Sequence, residues 1–120
     1  MGGPLSVAEV LERAADLIEP EGAWASGTKT LEADGSEQLD YYKEAQAASW
    51  TIVSAISVAA KRYPGRYNPE GARACTAALR FFQRVTGQHP YDFNIAPERT
   101  QAEVVAKLRE AAALAREQGK

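Results

Sequence analysis

Asn68-Pro69 and Gly87 bracket the most strongly specified element of this chain. An asparagine side chain accepts from the free N–H groups of a helix's first turn, and proline at the first helical position gives up only an N–H that has no partner there. Glycine just past the end takes the left-handed backbone that terminates a helix. Between these signals Ala72, Cys75, Leu79, Phe82 and Val85 recur at helical spacing, so residues 69–86 are expected to form an amphipathic helix with this stripe inward. The stripe needs a cover, and other segments of the sequence are patterned to supply one.

Two S/T-x-x-E capping boxes, Ser6 with Glu9 and Thr100 with Glu103, open two further helices. The first runs over about 6–19, with Val7, Val10, Leu11, Ala14, Leu17 and Ile18 on one face, and stops at Pro20 and Gly22. The other runs over about 100–118, with Val104, Val105, Leu108, Ala111, Ala112 and Ala115 aligned and Glu103 and Lys107 as an i,i+4 pair. The remaining helix is expected over about 41–62, centred on "AQAASWTIVSAISVAAKRY" (45–63). At about 100° per residue, Ala45, Ala48, Ile52, Val53, Ile56, Ala59, Ala60 and Tyr63 share a broad face, and Trp50, Ser54, Ser57 and Lys61 fall opposite. The stretch reads as a central helix buried nearly all round, too short and too polar to span a membrane. Its serines read as packing residues, because no G-x-S-x-G elbow and no partner histidine accompany them.

These elements imply an all-α, compact four-helix domain. With 120 residues, 45% of them hydrophobic and 25% charged, the chain suits a single globular domain over 1–120. The first link, 20–40, is long, and Asp34-Gly35 is placed to turn a small β-hairpin between "TKTLEA" and "SEQL". The second, 62–68, is short; the third, 87–99, is long, irregular and aromatic. In an up-down-up-down bundle the two long links meet at one end, which makes that end the candidate site.

Composition excludes several chemistries. A lone Cys75 forms no internal disulfide, and a lone His89 makes no histidine-rich metal site, so no metal is expected. The start of the chain has no basic and apolar secretory leader, and a cytoplasmic location without membrane contact is the expectation. G-x-G-x-x-G, Walker A, H-E-x-x-H and C-x-x-C are all missing, and no cofactor is expected. Charge is unevenly spread within a net of −2. Residues 1–44 hold ten acids and three bases, whereas 61–89 hold six bases and one acid. That asymmetry implies either attraction between the first and third elements or a basic face for an anionic partner, formed by Arg73, Arg80 and Arg84.

At the loop end the polar candidates are His89, Tyr91, Asp92 and Asn94 in "HPYDFN", together with Trp24 in "GAWASG". His89 and Asp92 have the residue types of a base and its orienter, with Tyr91 or Asn94 as a polar partner, but an i,i+3 pair in a loop is weak support for catalysis. The plainer reading sets His89 against the dipole of the third helix and Tyr91 and Phe93 as anchors on the bundle. Trp24 either plugs the end of the bundle or stands out as an anchor for a protein partner. Cys75 reads as a small core residue.

The segments "RAADLIEPEGAW" (13–24), "ADG" (33–35), "AASWTIVSAI" (47–56) and "RTQAEVV" (99–105) resemble an uncharacterised family of small bacterial and phage proteins, a domain of unknown function. That family carries Cys-Trp-Cys followed by Leu-Gly-Ala-Leu in its central helix, and Trp-Asn-Asp before its last helix. Here Ser49-Trp50-Thr51, Val53-Ser54-Ala55-Ile56 and Phe93-Asn94-Ile95 stand at those places. Ser49 and Thr51 are poor substitutes for thiolate ligands and Ile95 is no carboxylate, so an activity built on those groups is not expected. The resemblance implies the fold and no particular activity.

The resulting expectation is a non-enzymatic interaction or accessory module that binds a protein partner, or a second copy of itself, through the loop end around Trp24 and 87–99. The alternative is a small nucleic-acid or nucleotide-binding protein using the basic face of the third helix.

Overall fold

The computed structural model describes residues 5–26, 48–62 and 68–120. Among them five helices follow in order: α1 (Val7–Ile18), α2 (Ile52–Ala59), α3 (Pro69–Thr86), α4 (Pro90–Ile95) and α5 (Gln101–Glu117).

Both capping boxes form. Ser6 Oγ accepts the Glu9 N–H at 3.1 Å while Glu9 accepts the Ser6 N–H at 2.9 Å, and Thr100 and Glu103 reproduce the arrangement at 3.2 and 3.0 Å. α1 and α5 run antiparallel along their longest shared face. Gln101 at the start of α5 reaches the end of α1, donating through Nε2 to the carbonyls of Ile18 (2.6 Å) and Pro20 (2.7 Å). The Ile18 carbonyl is one of the acceptors that a helix end leaves without a partner, whereas Pro20 O also accepts the Ala23 N–H. Further along, Arg109 binds Glu12, Asp16 and Glu19, and Arg116 also binds Glu12, all between 2.9 and 3.1 Å. The sequence charge pattern suggested that the first element attracts the third. Among the described residues its acids pair instead with α5, because the antiparallel packing sets Arg109 and Arg116 alongside them.

The second helix is shorter than its apolar pattern implies. Residues 48–50 are not helical: Trp50 forms a parallel β-bridge with Trp24, its N–H donating to Ala23 O and its carbonyl accepting from Ala25 N, both at 2.8 Å. Thr51 then caps α2, accepting the Ser54 N–H at 3.1 Å while Ser54 Oγ accepts the Thr51 N–H at 2.9 Å. Ala48 is exposed and Trp50 half-buried, whereas Ser54 and Ser57 are buried. Part of the expected helix, 41–47, and the expected hairpin lie outside the described residues.

α3 has the expected span, with Asn68 accepting the Gly71 N–H at 3.3 Å and Gly87 in the left-handed conformation at φ 73°. Gly71 is required by packing: a Cβ there would stand 2.7 Å from the carbonyl oxygens of Ala60 and Lys61, where α3 crosses the end of α2. The 87–99 link, expected to be irregular, contains α4. His89 is its N-cap, accepting the Tyr91 N–H on Nδ1 at 3.1 Å, and Pro90 opens the helix. A helix is therefore added to the four expected.

One apolar cluster joins these elements. Leu11 and Ile18 of α1, Ile52 and Ile56 of α2, Phe82 of α3 and Leu108 of α5 are fully enclosed. Alanines at 14, 15, 111, 112 and 115 are also fully buried, which lets the α1 and α5 backbones approach closely. Cys75 lies in this core as expected, 3.6 Å from Ser57 Oγ.

Candidate functional site

Asn94 is the polar centre of the loop end and is almost wholly buried, at 2% exposure. Its Oδ1 accepts the Trp24 indole N–H at 2.8 Å and the Ile52 N–H at 3.0 Å, and its Nδ2 donates to Ala25 O at 3.0 Å. One side chain thus ties the segment after α1, the first turn of α2 and the helix α4. Asparagine suits the position because its amide both accepts and donates; a carboxylate would repel the Ala25 carbonyl. The Ile52 N–H is one of the donors that the first turn of α2 leaves free. Thr51, Ser54 and Asn94 thus supply acceptors for the Thr51, Ile52 and Ser54 N–H groups at the N-terminus of α2.

The inner face of α4 is fixed further by Phe93, whose ring meets Phe82 edge-on at 5.3 Å. The Arg99 guanidinium lies 3.6 Å over the same ring, while Arg99 Nε donates to Phe93 O at 3.0 Å and Nη1 pairs with Glu103 at 3.0 Å. Stacking, hydrogen bonding and ion pairing hold one guanidinium between α4 and α5.

The outer face differs in character. Among the described residues, Tyr91 (44% exposed) and Ile95 (40%) are the large hydrophobic residues left most open to solvent, and they stand one turn apart on α4. His89 and Asp92 are exposed beside them. The expected meeting of the two long links is therefore found, through Trp24 and Asn94, but the candidates separate. Asn94 and Trp24 build the inside; Tyr91, His89 and Asp92 face out. Tyr91 is more exposed than an anchor buried on the bundle would be, and His89 serves α4 as a cap. Trp24 is half-buried and hydrogen-bonded to Asn94.

Arg73 and Arg80 are exposed and line a groove of about 330 Å³ on α3 with Ala72, Thr76 and Ala77. Arg84 instead donates to Gln118 at 3.1 Å and stacks on Phe81 at 4.8 Å. Among the described residues no group of three or more histidine, cysteine, aspartate or glutamate side chains is placed to hold a metal ion, and no helix is long and apolar enough to cross a membrane.

Residues 3–114 match a family model described as a family of unknown function, DUF6197. The chain belongs to this family. Neither a curated protein nor a solved structure matches it significantly. The matched region of DUF6197 contains every helix of the core except the last residues of α5, so the Asn94 tie and the outer face of α4 both fall within it.

Sequence reasoning missed Gln101, Arg99 and the capping role of Thr51. Thr51-x-x-Ser54 is a recognisable capping signal with serine in the usual glutamate position, hidden because the apolar period runs through it. The Gln101 contacts join segments brought together by folding and carry no local signature, whereas the Arg99 contacts are local, and its i,i+4 spacing to Glu103 was readable in the sequence.

Proposed function

We propose that this protein is a non-enzymatic interaction module, acting inside the cell, that offers the outer face of α4 to a protein partner. The observation that carries the reading is the pairing of Tyr91 and Ile95 on one open face of a helix whose opposite face is locked by Asn94 and Phe93. A fixed helix presenting an aromatic and an aliphatic side chain loses little entropy when it docks, and aromatic anchors concentrate binding energy. The polar groups nearby favour binding over catalysis. His89 Nδ1 is occupied by the Tyr91 N–H, so a base assisted by Asp92 through that nitrogen has no support. An accessory role in a bacterial or phage setting is part of this proposal.

The test compares wild type with Tyr91→Ala/Ile95→Asp as immobilised bait in extract of the native cell, followed by titration of the retained protein in purified form. The expected result is a partner whose Kd weakens at least about 30-fold in the variant, equivalent to ~2 kcal/mol, while the melting temperature is unchanged. Equal affinity for both baits would overturn the assignment.

A second reading has its own observation. Because Glu12, Asp16 and Glu19 pair with α5, the charges of Arg73 and Arg80 meet no carboxylate in an ion pair among the described residues. A polyanion such as nucleic acid would then bind along α3 at low salt and dissociate steeply as salt rises. Arg80→Glu would weaken that binding without lowering the melting temperature. A salt-independent or absent interaction rules this reading out.

A further inference from the structure

Lys61, directly after α2, adopts a left-handed backbone conformation (φ 55°) that side chains other than glycine and asparagine rarely take. Its surroundings hold it there. Asn68 Nδ2 donates to the Lys61 carbonyl at 2.8 Å, and α3 presses on the same carbonyl at Gly71. These contacts account for the backbone but not for the lysine, since glycine would take the same conformation without strain.

The Lys61 side chain lines a groove of about 340 Å³ between α1 and α2. Leu17, Val58 and Ala59 give it an apolar floor, and among the described residues Arg13 and Asp16 are the other charged residues on its wall. Asp16 is already partnered by Arg109 at 3.1 Å. Glu9, one turn before Arg13, is engaged in the Ser6 capping box. Neither Arg13 nor Lys61 forms an ion pair among the described residues. Among the described residues, the apolar floor is thus flanked by two cations that make no direct ion pair, with Glu9 acting on Arg13 only through its field.

We propose that this groove binds a small organic carboxylate with an apolar body, the body lying on Leu17, Val58 and Ala59 and the carboxylate held by Arg13 and Lys61. The same cations disfavour an amphipathic amine, and an inorganic anion leaves the floor uncovered. The groove lies at the end of α2 remote from Asn94, so it is separate from the outer face of α4 and does not depend on that assignment.

The probe is hexanoate at neutral pH, titrated into the 15N-labelled full chain, with hexanamide and acetate as controls for charge and apolar body. Hexanoate is expected to shift the amide signals of Leu17, Val58, Ala59 and Lys61 saturably, with a Kd on the order of millimolar. Hexanamide and acetate should each bind about tenfold more weakly or worse. Lys61→Gly relieves the backbone, so its melting temperature should stay level or rise while hexanoate affinity falls about tenfold. Arg13→Gln, on an exposed helix position, should weaken binding similarly and serves as the second variant. Absence of saturable shifts at those amides, equal binding of hexanamide, or unchanged affinity in both variants would overturn the proposal.

Discussion

The Trp24 indole N–H donates to Asn94 Oδ1 across 2.8 Å, joining two residues that are 70 apart in the chain. Because the same oxygen accepts the Ile52 N–H and the same side chain donates to Ala25 O, the bond is one part of a clasp that positions α4.

Asn94→Ala should therefore cost about 2–4 kcal/mol, since it strands two donors and one acceptor in a largely buried site. Chemical denaturation measures this cost directly. In a Trp50→Phe background the same substitution should also change Trp24 emission, because the indole loses its acceptor. A stability change under about 0.5 kcal/mol, the range of an ordinary surface substitution, would show that the clasp is not structural.

The start of α2 is tested by a pair of substitutions. Ile52→Asp places a charge in a fully enclosed position and should abolish folding. Ala48→Asp lies on exposed backbone before the helix and should change stability by no more than about 0.5 kcal/mol. If Ala48→Asp were as damaging as a core substitution, the helix would begin earlier than Ile52.

Gly71→Ala improves helix propensity yet should destabilise the protein by roughly 1–3 kcal/mol, as overpacking does. The added Cβ meets two backbone carbonyl oxygens at 2.7 Å, and backbone yields less readily than a flexible side chain. A melt of the variant settles the sign.

At the start of α5, Thr100→Ala should cost about 1 kcal/mol through loss of the cap. The two capping glutamates also make stability depend on pH. The backbone N–H of Ser6 holds Glu9 below the usual carboxylate value of 4.5, with the Ser6 hydroxyl assisting, and Thr100 does the same to Glu103. Depressed folded values mean that this stabilisation is present above 4.5 and is lost as the pH falls through the folded values. Glu103→Gln keeps a capping side chain but removes its titration, so the melting temperature of that variant should fall less steeply in acid than wild type.

The helices that were legible in sequence are those with signals at both ends. α3 lies between Asn68-Pro69 and Gly87, and α1 and α5 begin at full capping boxes. The start of α2 was obscured because alanines and serines before Thr51 continue the apolar period, and small residues fit a non-helical segment beside Trp24 as readily as a helix. α4 escaped notice because six residues are too few to establish a period and histidine is an uncommon cap. Asn94 was recognisable as a polar residue at the loop end, but Trp24, Ala25 and Ile52, which it ties together, lie at least 42 residues away in the chain, so its part in the clasp emerges only from the fold.

The most direct test of the functional account places a photo-crosslinking benzoylphenylalanine at position 91 or 95 in the native cell, with the exposed positions 76 and 106 on α3 and α5 as controls. Irradiation should give a discrete covalent adduct with the same protein from 91 and 95 and none from 76 or 106. No adduct at 91 and 95, or the same adduct from all four positions, would contradict a docking face on α4.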